Sequence, residues 1–186
     1  MFTSHIEFTV PGHRSPGVGY EAPFEMLEAC HERVQRMLAL LEKARLYGRE
    51  HGCDQFFCSA IKDVIRYFDN AAPQHHLDEE LHVFPVVLAI NDAGLNEIVH
   101  RLKVEHKRME SLWSSVRVLL TSVMEARINK PMFTTDEDAI LDEFAAVYGQ
   151  HIADEENKIY PLGVQSISDD ALVLMAKDMM QRRGVR

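Results

Sequence analysis

Cysteine is scarce in this chain, and its spacing fits none of the common cysteine-based sites. The three cysteines, Cys30, Cys53 and Cys58, are odd in number and include no Cys-x-x-Cys pair. A disulfide framework needs an even set, and a cysteine-type zinc site needs closely spaced pairs. We therefore expect free thiols that are buried or half-buried, and neither of these two kinds of site.

Positive charge is also in short supply. Lys and Arg number 20 against 29 Asp and Glu, so the formal net charge is −9. Proteins that bind nucleic acid present a basic face to the phosphate backbone, and this acidic chain offers little from which to build one. The charge balance therefore argues against nucleic acid as a partner.

Long apolar runs are missing as well. No stretch approaches the ~20 apolar residues that are needed to cross a bilayer. The first 20 residues lack the basic-then-apolar order of a secretory signal. From these two absences we expect a cytoplasmic protein with no membrane partner.

The chain is rich in helical periodicity instead. With 186 residues, 46% of them hydrophobic, it is long enough for one domain with a single core. From Pro23 onward, apolar or histidine positions recur every three or four residues, which is typical of amphipathic helices. The first predicted helix spans about 23–49, and further stripes run over 57–86, 99–123, 140–155 and 172–179.

Turn residues separate the first three helices. Pro73 predicts a bend or short break near 70–73, because proline lacks the backbone donor and crowds the preceding turn. The sequence Asn-Asp-Ala-Gly at 91–94 predicts the next turn. The sequence Asn-Lys-Pro at 129–131 predicts the end of the third long helix.

The last two helices have clearer signals at their ends. Thr134, with Glu137 three residues later, is typical of a capping box at the start of the fourth helix. Pro-Leu-Gly at 161–163 predicts the end of that helix. Ser168 is a cap residue for a shorter fifth helix, which we expect to end near Gly184.

These elements predict an all-α fold, an up-down-up-down bundle of four long helices joined by short loops. We divide the chain into an irregular N-terminal arm at 1–22, the four-helix bundle at 23–163, and a C-terminal helix packed on the bundle at 164–186. We expect a monomer or a homodimer.

Each of the four long helices carries one histidine inside its apolar stripe. Counted from the shared loops at about 1.5 Å per residue, neighbouring histidines differ in height by about one helical turn, so all four can occupy one layer. A single buried histidine is most often an ordinary core residue, whereas four in one layer indicate a shared site. The four are His31, His75, His106 and His151.

Two of these histidines lie in a repeated segment. Residues 75–85 and 151–161 are identical at five of eleven positions. In both segments a glutamate, Glu79 or Glu155, follows the histidine by four residues and therefore lies on the same helix face. The domain is predicted to consist of two similar helical hairpins related by an approximate two-fold axis.

Other residues near the cluster leave alternatives open. His76 and Glu80 have the same spacing one residue later, so a shifted ligand pair is an alternative. The repeat favours His75 with Glu79 and leaves His76 and Glu80 as neighbours of the site. Glu105 is either a hydrogen-bonding or proton-relay group or a simple flanking charge.

The chemistry of six such side chains favours metal ions. Unpaired carboxylates in a dry core carry a large desolvation cost, which coordination of a cation removes. Imidazole and carboxylate suit iron, manganese or zinc, and six donors are too many for one tetrahedral ion. We interpret the cluster as a site for two metals, each with an open position for a small molecule.

The two His-x-x-x-Glu-Glu segments that end in Phe-Pro or Tyr-Pro, with the separate histidines of the first and third helices, resemble the hemerythrin-like (HHE cation-binding) family. The resemblance covers about residues 23–163 and is closest to the branch of di-iron proteins that repair stress-damaged iron centres. It implies a four-helix bundle with two non-haem iron ions bridged by oxide or hydroxide, with zinc or manganese as substitutes. The implied metal ligands are His31, His75, Glu79, His106, His151 and Glu155.

The resemblance also implies functions. One hypothesis is binding of dioxygen or nitric oxide at the metal centre for sensing or storage. The alternative is a di-iron enzyme or iron donor in the response to nitric oxide or peroxide and in iron-centre repair. A third is a bundle whose metals only hold the helices together. Oxygen carriers of the family have a fifth histidine where this chain has Glu110, which weakens the oxygen-carrier hypothesis.

Overall fold

A computed structural model describes residues 19–126 and 133–185 of the chain, and every regular element in these ranges is helical. The all-α prediction is confirmed. The predicted N-terminal arm lies outside the described residues except for 19–22, as does the predicted helix end at 129–131. The elements are α1 Pro23–His51, α2 Gln55–Asp78, π1 Glu79–Val83, α3 Phe84–Leu88, α4 Ala93–Ala126, α5 Thr135–Asp154, π2 Glu155–Ile159, α6 Tyr160–Ser166 and α7 Asp169–Arg182.

The elements form four long rods and one short helix. The first rod is α1, the second runs through α2, π1 and α3, the third is α4, and the fourth runs through α5, π2 and α6. Helix α1 packs against α2, α4 packs against α5, and α3 lies against both α4 and α6. The four rods are the predicted helical bundle.

Cap residues define several helix starts. Asp54 accepts a hydrogen bond from the backbone N–H of Phe57, and Ser168 accepts one from Ala171. Thr134 and Glu137 form the predicted capping box, in which each side chain bonds the backbone N–H of the other. These contacts satisfy donors that the first turn of a helix would otherwise leave unpaired.

Replacing Thr134 with alanine is expected to lower the free energy of unfolding by about 1 kcal/mol, because the cap acceptor is lost. In a chain of this size the midpoint of thermal unfolding should fall by about 2–4 °C. Thr135→Ala is the matched control, since Thr135 lies inside the first turn and makes no cap. Equal midpoints for the two variants would contradict the capping role.

The predicted break at 70–73 and the predicted helix end at 161–163 are wrong. The chain stays α-helical through Pro73, because burial of Phe68 and Ala72 in the core outweighs one lost hydrogen bond. The fourth rod continues past 161–163 to Ser166. Gly163 serves packing here, since a Cβ at this position would lie 2.9 Å from the ring of Phe24.

Two π-helical turns, π1 and π2, interrupt the second and fourth rods. In each the backbone N–H bonds a carbonyl five residues back, from Phe84 to Glu79 and from Tyr160 to Glu155. Prolines follow directly, at the start of α3 and α6, where a missing N–H costs little. The π turn thus allows each rod to continue through its Phe-Pro or Tyr-Pro pair.

The apolar core has two parts with a polar layer between them. Along α1 the first part includes Val34 and Leu41 and the second includes Phe24 and Leu27. His31 falls between these positions, and the other three predicted ligand histidines fall at the same boundary on their own rods. The fold therefore places all four imidazoles in one layer.

Helix α7 docks beside the second part of the core. Met175 and Met179 are completely buried there. Next to them, Arg182 and Arg183 bind the carboxylate of Asp78 on α2.

All three cysteines are free thiols. Of the helices in the described ranges, none combines the length and apolar character of a membrane span.

Candidate metal centre

Six polar side chains meet in the layer between the two parts of the core. They come from all four rods, and the second and fourth rods contribute two each. The histidines are at most 3% exposed and the glutamates are completely buried. Their donor atoms form two overlapping groups in which all atoms lie within 4.8 Å of one another. The first group is His31, His75, Glu79 and Glu155, and the second is His106, His151 and Glu155. We call these six residues the His/Glu cluster.

Glu155 faces both groups. Its Oε2 lies 3.2 Å from Nε2 of His31, while its Oε1 lies 3.0 Å from Nε2 of His151 and 3.7 Å from Nε2 of His106. One carboxylate thus spans the space between the two pairs of imidazoles.

Glu79 repeats this arrangement from the opposite rod. Its Oε1 lies 3.4 Å from Nε2 of His75 and 3.9 Å from Nε2 of His31, and its Oε2 lies 3.4 Å from Nε2 of His106. The approximate two-fold repeat of the sequence therefore appears as two glutamates that each face both halves of the cluster.

The π turns help to place these glutamates. Glu79 is the first residue of π1 and Glu155 is the first residue of π2. Each follows the last turn of an α-helix that carries its histidine four residues earlier, so imidazole and carboxylate lie on one face. Single π turns inside α-helices are frequent at functional sites.

Three glutamates outside the His/Glu cluster hydrogen-bond the Nδ1 atoms of its histidines; we call them the outer carboxylates. Nδ1 of His31 hydrogen-bonds Glu156 at 2.9 Å, and Nδ1 of His106 hydrogen-bonds Glu80 at 2.9 Å. Nδ1 of His151 is held in the same way, at 2.8 Å, by a glutamate on α4. Such contacts orient metal-binding histidines so that Nε2 faces the ion. The three outer carboxylates are Glu80, Glu105 and Glu156.

Two of these contacts resolve alternatives that the sequence left open. Glu80 points to the outer nitrogen of His106 and lies outside the His/Glu cluster. Glu105 is a hydrogen-bonding group of the site, because it contacts His151. Glu110, at the position of the further histidine in oxygen carriers, is exposed to solvent.

Two buried aspartates beside the cluster were not predicted from the sequence. Asp78 and Asp154 directly precede the two cluster glutamates and are at most 2% exposed. Asp78 binds Arg182 and Arg183 at the end of α7, and Asp154 binds Arg101 and Lys158. The signal was present, since aspartate is identical at this position of both repeated segments.

The two halves of the cluster are not identical. Next to the second group, the His76 ring stacks on that of His106 with centroids 4.0 Å apart, whereas Ile152 holds the corresponding position of the other segment. Next to the first group, the hydroxyl of Tyr160 donates a hydrogen bond to Glu79. Both side chains are buried, and the sequence did not indicate where either would point.

The buried carboxylates raise the pKa of some cluster histidines, while burial lowers the pKa of another. Burial lowers the pKa of His31, but the nearby carboxylate of Glu155 outweighs it and raises the pKa to about 9. Burial is likewise outweighed at His106, whose pKa is raised to about 10 by Glu155 and Glu79. Burial and the nearby His31 hold the pKa of His75 well below its usual range. Metals bind neutral imidazole, so an ion can bind at either histidine only after the added proton is lost.

The donors fit a cation. Oε2 of Glu79 and both carboxylate oxygens of Glu155 are buried yet accept no hydrogen bond within the described residues. Buried carboxylate oxygens without a donor are costly unless they are paired or bind metal. In addition, Nε2 of His106 lies 3.2 Å from Nε2 of His151, a spacing suited to two donors on one ion. The cluster is therefore a metal-binding site by its chemistry.

Comparison with known proteins agrees with this chemistry. The family model described as Hemerythrin HHE cation binding domain matches residues 22–163. A protein of Haemophilus influenzae with the name "Uncharacterized protein" is 32% identical over 167 residues, which cover 90% of this chain and 93% of that relative. The chain belongs to the hemerythrin HHE cation-binding family. With its buried His/Glu cluster, it is a cation-binding, hemerythrin-like protein.

Proposed function

We propose that the His/Glu cluster holds two iron ions and that the protein binds a small diatomic molecule, dioxygen or nitric oxide, at this centre. The observation that carries the proposal is the placement of the two glutamates. Each has one oxygen toward His31 and the other toward His106, on the two sides of the cluster. Two ions bridged by both carboxylates account for this placement better than one ion does.

The donor count favours iron over zinc. Two imidazole nitrogens and one oxygen from each glutamate supply four protein donors to each ion, and a bridging oxide or hydroxide adds a fifth. Structural zinc is most often tetrahedral, whereas iron accepts five or six donors of this type. Zinc and manganese remain the substitutes for which the purified protein should be assayed.

An iron ion with an open coordination position would bind dioxygen or nitric oxide reversibly. The chain contributes the surroundings of that position. The cluster histidines are at most 3% exposed and lie between two apolar regions, so only a small molecule reaches them without separating the rods. The outer carboxylates keep the imidazoles in place while a ligand enters and leaves. We propose that this binding serves sensing or storage in the cytoplasm.

A second candidate function is an enzyme or iron donor in nitric oxide or peroxide stress and iron-centre repair. The exposed position of Glu110 favours it over an oxygen carrier. Without an imidazole at that position, the two ions have equal numbers of histidines, and no fifth histidine closes either ion to reactants. Iron release or catalytic turnover under nitric oxide, in place of reversible binding, would select this candidate.

Elemental analysis of protein purified without chelator tests the proposal, and we expect two iron ions per chain. The ferrous protein should then gain a visible band on exposure to dioxygen or nitric oxide and lose it when the gas is removed. Glu110→Gln is the matched control, since it alters an exposed carboxylate one turn from His106 and should retain both ions. A colourless protein that holds only zinc would contradict the proposal.

A further inference from the structure

One oxygen distinguishes the two halves of the cluster. Phe84 follows Glu79 by five residues, and Tyr160 follows Glu155 by five. The Phe84 ring stacks on His106 with centroids 5.7 Å apart, and the Tyr160 ring stacks on His31 with centroids 5.4 Å apart and planes within 8° of parallel. The two rings have equivalent places in the repeat, so the Tyr160 hydroxyl is a feature of one half only.

This hydroxyl lies among the metal-directed donors. Its oxygen is 3.2 Å from Nε2 of His31 and hydrogen-bonds Oε1 of Glu79. Tyr160 is 2% exposed, so no solvent competes for this oxygen. Two other tyrosines lie elsewhere: the half-buried Tyr67 donates to the backbone carbonyl of Cys30, and the buried Tyr148 packs among the aromatic rings of the first part of the core.

The spacing is that of neighbouring donors on one ion. Donors that bind a cation at about 2.1 Å and about 90° to each other lie roughly 3 Å apart. The oxygen of Tyr160 stands at about this distance from Nε2 of His31 and near the oxygen of Glu79 that faces His75. The atoms of His31, His75 and Glu79 named here belong to one group of donors, and the Tyr160 oxygen lies beside them.

We propose that the Tyr160 oxygen is a seventh protein donor of the centre, bound to the ion that His31 and His75 hold. This inference rests on the proposed two-iron function. Binding forms a bond between the phenol oxygen and the ion and breaks the O–H bond, and the proton is released to solvent. No oxidation or reduction is involved in this exchange of a proton for a metal ion.

The proposal gives the two ions different roles. The Tyr160 oxygen occupies a position on the first ion that Phe84 leaves open on the second. The diatomic molecule therefore binds at the ion held by His106 and His151, beside the buried ring of His76. The two repeated segments would thus bind two ions with different sets of donors, because only one segment carries a tyrosine hydroxyl.

A spectroscopic comparison tests the ligand. Wild-type protein loaded with ferric iron should show a phenolate-to-iron charge-transfer band in the visible range and the resonance Raman vibrations of a bound phenolate ring. Tyr160→Phe should lose both signals completely and still bind two iron ions, since phenylalanine, as Phe84, already fills the equivalent place in the other half. Tyr148→Phe, which changes a buried tyrosine outside the cluster, should retain both signals.

The outcomes separate this inference from the proposed function. Two iron ions in the wild type without phenolate vibrations would overturn the ligand role of Tyr160 and leave the two-iron centre standing. Fewer than two iron ions would overturn both. Should Tyr160→Phe fail to fold, wild-type protein with ring-deuterated tyrosine supplies the second test: the vibrations must shift in frequency, and unshifted vibrations overturn the proposal.

Discussion

Glu155→Ala is expected to remove at least one of the two metal ions and most of the stability that metal binding adds. Glu155 is the one residue shared by both donor groups, with its two oxygens 3.2 Å from Nε2 of His31 and 3.0 Å from Nε2 of His151. A ligand that binds only the folded state adds about 4 kcal/mol when its free concentration is 1,000 times Kd. Elemental analysis and thermal unfolding with and without added iron measure the two effects.

Glu156→Ala is the matched control for this experiment. Glu156 is the next residue in the chain, is 39% exposed, and contacts the outer nitrogen of His31 and not its Nε2. Loss of such an orienting carboxylate typically weakens metal affinity about 10–100-fold without removing a donor, so both ions should remain at saturating iron. His75→Ala should behave like Glu155→Ala. Two ions in Glu155→Ala would show that Glu155 is not a ligand.

The helical bundle could be predicted because the sequence patterns that define its helices lie within short segments of the chain. Stripes with a period of three or four residues define the buried face of each helix, and cap residues such as Thr134 and Ser168 define starts. His31 and His106 could be assigned to one layer because they interrupt apolar stripes at similar heights. Convergence of the six donors needed only helix geometry and the order of the rods.

The failures of prediction involve contacts between rods. Whether Pro73 breaks a helix depends on the burial of its neighbours, and whether Gly163 ends one depends on the Phe24 ring beside it. The direction of the Tyr160 hydroxyl depends on how α6 meets α1. The partners of Asp78 lie more than 100 residues away in α7. No local pattern reports such long-range contacts, although the repeated aspartate marked the position as special.

Asp78→Ala is expected to lower the free energy of unfolding by about 3–5 kcal/mol, the usual cost of breaking a buried ion pair by removing one partner. Asp78 is completely buried and binds both Arg182 and Arg183, which are themselves only 18% and 17% exposed. Without this carboxylate Arg182 keeps Asp178 and Gln74 and Arg183 keeps the carbonyl of Met179, but the buried ion pair that joins α7 to α2 is lost. Urea unfolding measures the loss, and limited proteolysis within α7 detects its release from the bundle.

A surface ion pair provides the contrast. Arg108 and Glu143 also join two rods, at 2.7 Å, but they are 58% and 48% exposed. Arg108→Ala should therefore cost no more than about 1 kcal/mol. Combining Asp78→Ala with Arg183→Ala should cost much less than the sum of the two single changes, because both remove the same contact. A loss below 1 kcal/mol for Asp78→Ala, or strict additivity with Arg183→Ala, would show that this ion pair does not hold α7 on the bundle. Since Asp78 directly precedes Glu79, release of α7 should also weaken iron binding, which the same variants test by iron titration.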